Sequence, residues 1–253
     1  MISWFRGRAK TERHRPAVPA KRRVYAIGDI HGRADLLDEL RRRIVADAKK
    51  ATPGTQPVVV YLGDYVDRGM NSREVVDMLL HKPLEGFESV HLMGNHEAIL
   101  LQFLVDTSIA PTWFNNGGNL ALFSYGVHIP PGERDEQRLR QAQQDFLKAL
   151  PEDHLEFLRS LKTSHVEGDY VFVHAGIRPN VPLEKQHPRD LIWIRGEFLN
   201  SMVQHPKIVV HGHSTEMDVQ QLPNRIGIDT GAYYSGRLTA LVLDGETRRF
   251  LST

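Results

Sequence analysis

With 253 residues, 41% of them apolar and 25% charged, the chain has material for one large α/β domain rather than two small ones. A formal net charge of +1 excludes a general electrostatic attraction to nucleic acid, so no nucleic-acid partner is expected. The absence of cysteine excludes disulfides, thiol nucleophiles and thiolate metal sites, leaves His, Asp, Glu and Asn as ligands, and makes the cytoplasm the default compartment.

The first stretch carries Arg6, Arg8, Lys10, Arg13, Arg15, Lys21, Arg22 and Arg23 against one acid, Glu12. Residues 1–22 therefore read as a disordered basic arm and residues 23–253 as the domain. The apolar Met1-Ile2-Ser3-Trp4-Phe5 precedes those charges and is too short for a signal peptide. No run reaches spanning length, so no stable membrane insertion is expected.

Val24-Tyr25-Ala26-Ile27 reads as a first strand that runs into Gly28-Asp29-Ile30-His31-Gly32. Leu36, Leu37, Leu40, Ile44 and Val45 then repeat at helical spacing until Pro53-Gly54, which gives an amphipathic helix over the sheet. The β-branched run Val58-Val59-Val60-Tyr61-Leu62 is a second, buried strand, and it delivers Gly63-Asp64-Tyr65-Val66-Asp67-Arg68-Gly69 to the sheet's rim. Asn71 with Glu74 three residues on predicts a capping box and a helix through Leu80. A third strand, Val90-His91-Leu92-Met93, ends in Gly94-Asn95-His96-Glu97, with a helix behind it through Leu104. Three strand-loop-helix units in succession imply parallel strands with their loops along one edge.

Residues 107–162 hold Asn115-Asn116-Gly117-Gly118 and two helical runs, the second from Pro151, and read as a helical cap beside the site. From Asp169 the pattern turns to strands. Tyr170-Val171-Phe172-Val173 leads into His174, Ile208-Val209-Val210 into His211-Gly212-His213, and Arg225–Ile228, Leu238–Leu243 and Arg249–Leu251 follow, the last two joined at Asp244-Gly245. These predict a second, mixed or antiparallel sheet packed on the first.

Five strand ends thus deliver carboxylates, imidazoles and an amide without sulfur. Such N and O donors suit Mn²⁺, Fe or Zn²⁺ better than Ca²⁺ or Mg²⁺ alone. On an extended segment Asp29 and His31 would share a face and grip one ion. Asp64 could bridge to a second, completed by Asn95, His174 and one of His211 or His213, which makes a two-metal site.

The three motifs at Gly28–Gly32, Gly63–Gly69 and Gly94–Glu97 resemble the signature motifs of the phosphoprotein phosphatase branch of the calcineurin-like metallophosphoesterases. Asn116-Gly117-Gly118, His174-Ala175-Gly176, Leu191-Ile192-Trp193-Ile194-Arg195, Gly212-His213 and Ile228-Asp229-Thr230-Gly231-Ala232 are similar to the bacterial and phage lambda type of Ser/Thr protein phosphatase. The resemblance runs from about Val24 to Leu243. It implies an αββα sandwich of two mixed sheets flanked by helices. It implies Asp29, His31, Asp64, Asn95, His174 and His213 as ligands of two divalent ions, Mn²⁺ first with Fe or Zn²⁺ as alternatives. His96 would be the general acid, oriented by Asp67, and Arg68, Arg195 and Asn95 would bind substrate. The implied reaction is direct attack of metal-bound hydroxide on phosphoserine or phosphothreonine, with phosphotyrosine as an extension, so a phosphorylated protein or small phosphoester is the expected partner. Alternatives are hydrolysis of dinucleoside polyphosphates such as diadenosine tetraphosphate, and an inactive phosphoprotein-binding scaffold. The family's Gly-His-Thr-Pro appears as Gly212-His213-Ser214-Thr215, and Ala175 stands where eukaryotic members have glycine. His213 is preferred to His211 because the glycine before it fits the family pattern.

Overall fold

The computed structural model describes residues 15–253. Its strands, in chain order, are β1 (Arg22–Ile27), β2 (Gln56–Tyr61), β3 (Glu88–His91), β4 (Ser164–Glu167), β5 (Tyr170–Val173), β6 (Ile208–His211), β7 (Gln220–Gln221), β8 (Arg225–Gly227), β9 (Thr239–Asp244) and β10 (Thr247–Ser252). They form two five-stranded sheets, ordered β10-β9-β1-β2-β3 and β4-β5-β6-β8-β7. The pairs β1–β2 and β2–β3 are parallel, as the three successive units require. In the second sheet β5, β6 and β8 are parallel, with β4 and β7 antiparallel at the edges.

Alternation along each strand sets the layers. Val24 and Ala26 of β1 and Val58 and Val60 of β2 face Tyr170 and Phe172 of β5, Val210 of β6 and Ile226 of β8 in a dry core between the sheets. The opposite faces carry Tyr25, Ile27, Val59 and Tyr61, covered by the helices α1 (Ala34–Ala48) and α2 (Ser72–His81) through Leu37, Leu40, Ile44, Val75 and Val76. A helix α3 (Asn95–Phe103) follows β3, and the cap holds α4 (Ala110–Asn115), α5 (Gly118–Ser124), α6 (Glu136–Ala149) and α7 (Glu152–Ser160). On the outer face of the second sheet, Val171, Val173 and Val209 pack under Leu191 and Ile192 of α8 (Pro188–Trp193) and Phe198 of α9 (Gly196–Leu199). A short α10 (Ala232–Ser235) precedes β9. Side chains alternate across a strand, so burying both faces of both sheets produces four layers. Each fully buried Val, Leu or Phe contributes about 1.5–3 kcal/mol.

The structure corrects the sequence reading in several places. The strands at Leu238–Leu251 belong to the first sheet. β9 pairs antiparallel with β1, Val24 opposite Leu243, and β10 closes the edge. This pairing joins residues more than two hundred apart, and no local pattern carries it. β4 and β7 were not expected. The cap has four α-helices and a 3₁₀ turn at Thr107–Ile109 rather than two helical runs, because Gly117, with φ +91, breaks the run between α4 and α5. The Asn71 side chain makes no capping bond. Its backbone N–H is spent on Gly32 O instead, at 3.1 Å.

The arm expected over residues 1–22 lies mostly outside the described residues. Its last part is packed, against expectation. Val18 is buried, Ala17 N donates to Asp169 Oδ2 at 2.9 Å, and Val18 N donates to Gly245 O at 3.1 Å.

At the end of β3, His91 stacks on Tyr61 with centroids 4.9 Å apart and meets the edge of Phe157 at 5.2 Å. Burial, with the Arg41 charge added, lowers its pKa to about 4. As pH falls below the ordinary value of about 6.5, the unfolded chain takes a proton that the folded chain refuses, so stability drops until pH passes the folded value. This residue should cost about 2 kcal/mol between pH 7.5 and 5. Urea unfolding at both pH values should show a loss smaller by about that amount in His91→Phe. An equal loss in variant and parent would exclude His91 as the source.

Candidate active site

β1, β2 and β3 from one sheet, and β5 and β6 from the other, end at the same edge and deliver Asp29, His31, Asp64, Asn95, His96, His174 and His213, all buried. The backbone is bent hard here. His31, Asp64, Asp67, Arg68 and His213 have φ of +48, +51, +71, +65 and +61, each costing on the order of 1 kcal/mol in a residue with a Cβ. The bend also overturns the shared-face argument for Asp29 and His31, which needed an extended segment. Instead the Asp29 carboxylate accepts from His213 N at 3.0 Å, and His31 Nε2 lies 3.5 Å from Asp64 Oδ2. Glycines stand where a carboxylate occupies the side-chain position. A Cβ on Gly94 would collide with Asp64 Oδ1, and one on Gly212 with Asp29 Oδ1.

Two clusters of donor atoms share Asp64: His31, Asp64 and His96, and Asp64, His174 and His213, with the atoms of each cluster within 4.8 Å of one another. The histidines are oriented as ligands are. His31 Nδ1 donates to Val66 O and His174 Nδ1 to Leu62 O, both at 2.9 Å. A carbonyl can only accept, so each Nδ1 carries the hydrogen and, in the neutral ring, Nε2 turns a lone pair inward. His31 Nε2 and His213 Nε2 have no hydrogen-bond partner. His174 Nε2 faces two acceptors, Asn95 Oδ1 at 3.0 Å and Asp64 Oδ1 at 3.3 Å. Only a proton or a cation resolves that contact. Burial opposes a charge on His174, yet Asp64 outweighs it and raises its pKa to about 9. Burial lowers His213 to about 2, which keeps its ring neutral and its lone pair free. The donor set therefore fits metal cations, with Asp64 common to both clusters. Asp29 lies beside the second cluster, its carboxylate accepting from His213 N. His211 turns away, with Nδ1 3.0 Å from Gly212 O and its ring edge-on to Phe198 at 5.1 Å. Of the two open alternatives, His213 is the one that joins Asp64.

Next to the first cluster, His96 Nδ1 lies 2.6 Å from Asp67 Oδ2, and its Nε2 lies 3.4 Å from the Arg68 guanidinium. Burial works against the imidazolium, but Asp64 and Asp67 prevail and the His96 pKa is raised. Arg68 also stands over the Tyr233 ring, 4.7 Å from its centroid. Arg195, exposed just before α9, is near enough to His213 to contribute to its lowered pKa.

The profile of the calcineurin-like phosphoesterases matches residues 22–233. The chain belongs to that family. A Serine/threonine-protein phosphatase 2 of Escherichia coli (strain K12) is 26% identical over 86% of this chain and 91% of its own length. A Bis(5'-nucleosyl)-tetraphosphatase PrpE [asymmetrical] of Anoxybacillus flavithermus is 23% identical over 85% of this chain and 88% of its own. In fold, the chain is similar to a crystal structure of a putative diadenosine tetraphosphatase, with a TM-score of 0.59 at 24% identity, over 94% of this chain and 98% of that one. The calcineurin-like phosphoesterase described here is thus a phosphatase enzyme of a family that uses a dinuclear metal centre. No helix among its described residues is long and apolar enough to cross a membrane.

Three residues of this phosphoesterase's site had no role in the sequence reading. Glu97, buried, accepts four backbone N–H groups: Asp64 at 2.9 Å, Tyr65 at 2.7 Å, Val66 at 3.2 Å and Gly94 at 3.0 Å. It ties the loop after β2 to the loop after β3, and its bond to Gly94 forms the start of α3 in the manner expected, wrongly, at Asn71. Asp229 accepts from Thr215 Oγ1 at 2.6 Å and Gly231 N at 2.9 Å, which pins the loop that follows His213. Trp113 donates Nε1–H to Asp67 Oδ2 at 2.8 Å, so one carboxylate oxygen serves both the indole and His96. The Asn116-Gly117-Gly118 motif makes this fit. Gly117 O accepts from Arg68 N at 3.3 Å, and a Cβ on Gly118 would strike the Trp113 ring. The signal lay in that motif, but nothing local named the tryptophan as its reason.

Trp113→Phe keeps the ring packing and removes the indole donor. It should leave metal content unchanged and lower kcat roughly tenfold, the worth of one bond to a buried charged group. Loss of metal in this variant, measured by atomic emission, would mean that Trp113 supports the ligands rather than Asp67.

Proposed function

We propose that this phosphoesterase hydrolyses phosphoserine and phosphothreonine in proteins, with phosphotyrosine as a further ester, and that Asp29, His31, Asp64, Asn95, His174 and His213 hold two divalent cations, Mn²⁺ first among them. The observation that carries the reading is the buried His96–Asp67 pair beside Asp64, at 2.6 Å. A serine or threonine alkoxide is a strong base and must receive a proton as its bond to phosphorus breaks, and an imidazolium held by a carboxylate supplies one.

When bound, the two cations provide a water acidified for attack near neutral pH and positive charge for the phosphoryl oxygens. The residues of the chain do the rest. His96 gives its Nε2 proton to the leaving oxygen while Nδ1–H stays with Asp67. Asp67 keeps the ring aimed and is itself fixed by Trp113 Nε1 and by its own N–H to Ser72 Oγ at 3.0 Å. The Arg68 fork, steadied on Tyr233, and Arg195 match the tetrahedral oxygens of the ester, and the Asn95 amide has its N–H₂ for the same group.

A second reading, hydrolysis of dinucleoside tetraphosphates, is favoured by one feature. Tyr233, 38% exposed, lies under Arg68, and Tyr234, 54% exposed, meets the Tyr233 ring edge-on at 4.9 Å, where a base could stack. Relatives of similar identity also bear the tetraphosphatase name. The scaffold reading is disfavoured, because His96, Asp67, Arg68 and Arg195 are all present.

With Mn²⁺ restored to stripped enzyme, turnover of a phosphoserine peptide should exceed that of diadenosine tetraphosphate, and the reverse order would select the second reading. His96→Ala should then lose about 10²- to 10⁴-fold on the alkyl ester, the usual worth of general acid catalysis, and much less on a nitrophenyl ester, whose leaving group needs no proton. Equal losses on both esters, with metal content preserved, would make His96 a phosphate-binding group. His213→Ala is the control, since loss of a ligand should harm both substrates alike.

A further inference from the structure

A second set of imidazoles and carboxylates lies at the other end of α2 from the Asp67–Gly69 loop, roughly 14 Å along the helix. Asp77 and His81 stand one turn apart on the same face of α2, and Asp153 and His154 sit in the first turn of α7. His154 Nε2 is 3.0 Å from Asp77 Oδ1, and His81 Nε2 is 3.1 Å from Asp153 Oδ2. Donor atoms of Asp77, His81 and His154 all lie within 4.8 Å of one another. His154 is buried and its Nδ1 is held at 2.9 Å by the hydroxyl of Tyr125, also buried. That contact points the ring's second nitrogen into the cluster, as the outer partner of a metal-bound imidazole does.

Charge points the same way. Among the described residues, neither Asp77 nor Asp153 forms an ion pair with a lysine or arginine, and each faces an imidazole. Two imidazoles and two carboxylates without sulfur suit Zn²⁺. The His154–Asp77 and His81–Asp153 separations, 3.0 and 3.1 Å, are close to the edge of a tetrahedron with bonds of 2.0–2.1 Å, about 3.3 Å. His81 and Asp153 are half-exposed, so they can close the small remaining distance by rotation.

We propose that Asp77, His81, Asp153 and His154 form a zinc site separate from the catalytic pair, fastening α7 of the cap to α2 of the core. Both helices lead to catalytic loops. α2 begins three residues after Gly69, and just beyond α7, Lys162 is bonded to β3 and its end through Lys162 N to His91 O at 3.1 Å and Met93 N to Lys162 O at 2.7 Å. An ion at this place would stiffen the frame around Asp67 and Asn95 without touching substrate.

Full-length protein saturated with Zn²⁺, freed of excess and counted by plasma mass spectrometry, should carry one more ion per chain than His81→Ala treated in the same way. The difference is the readout, whatever the catalytic pair holds, so failure of the catalytic reading does not mask it. Zinc at about 100 times its Kd should also raise Tm by roughly 5 °C more in the parent than in the variant. Asp77→Asn, which keeps the side chain's size, should lose the same ion, and unchanged Mn²⁺-supported turnover in either variant shows that it folds. Equal zinc content and equal zinc-dependent shifts in parent and variants would overturn the proposal.

Discussion

Asp64 carries a negative charge in a place that water does not reach, and most of the surrounding structure answers to that. Its side chain is 2% exposed, lies 3.3 Å from His174 and 3.5 Å from His31, and accepts from His96 N at 3.1 Å. An ionised carboxylate without compensation in such a setting would cost many kcal/mol. Burial alone would raise its pKa, but His174 first, then His96 and His31, reverse the shift and hold it well below the ordinary value. His31 and His174 have carbonyl partners on their far side, Val66 O and Leu62 O, so in the neutral ring each turns a lone pair inward. In a family that uses a dinuclear metal centre, bound cations would add positive charge to the same carboxylate. The glycine at 94, the staple made by Glu97 and the left-handed turns at His31 and His213 all serve to bring partners within reach of this one group.

The strain is spread over both sheets. Left-handed φ values at five site residues would by themselves cost several kcal/mol, and they persist because the inter-sheet core fixes where each strand must end. Val24, Val58 and Phe172 therefore act on the chemistry at a distance. They touch no ligand, but they hold the ends of β1, β2 and β5 in register, so the loops have no room to relax.

Much of this was legible in the sequence for a physical reason. A buried parallel strand is a short apolar run, and the residue after it can only be at the sheet's edge, so Asp29, Asp64, Asn95, His174 and His213 announced a shared location before any geometry was known. Which of His211 and His213 joins the pocket was decided by the turn at Gly212, whose carboxylate neighbour is far away in sequence. Trp113, Glu97 and Asp229 were illegible as site residues because their work is done through partners at long range: a tryptophan reads as core, and a glutamate in a helix's first turn reads as a cap. The placement of β9 and β10 beside β1 failed for the same reason, since pairing across two hundred residues leaves no periodicity to read. Local rules also misled where a backbone turned unexpectedly, at His31 and at Asn71.

The division of the pocket between two sheets has a temporal side. The pocket residues that follow strands of the first sheet, Asp29, His31, Asp64 and Asn95, are synthesised in the first half of the chain, whereas His174 and His213 arrive late, and β9, which completes the first sheet against β1, arrives later still. During synthesis the chain grows from the N-terminus, so an early fragment holds Asp64 and His31 but lacks the His174 and His213 that share the second cluster with Asp64. The second cluster must wait until nearly the whole sequence has emerged and the two sheets have closed on each other. Completion of the pocket is therefore a report that folding is finished.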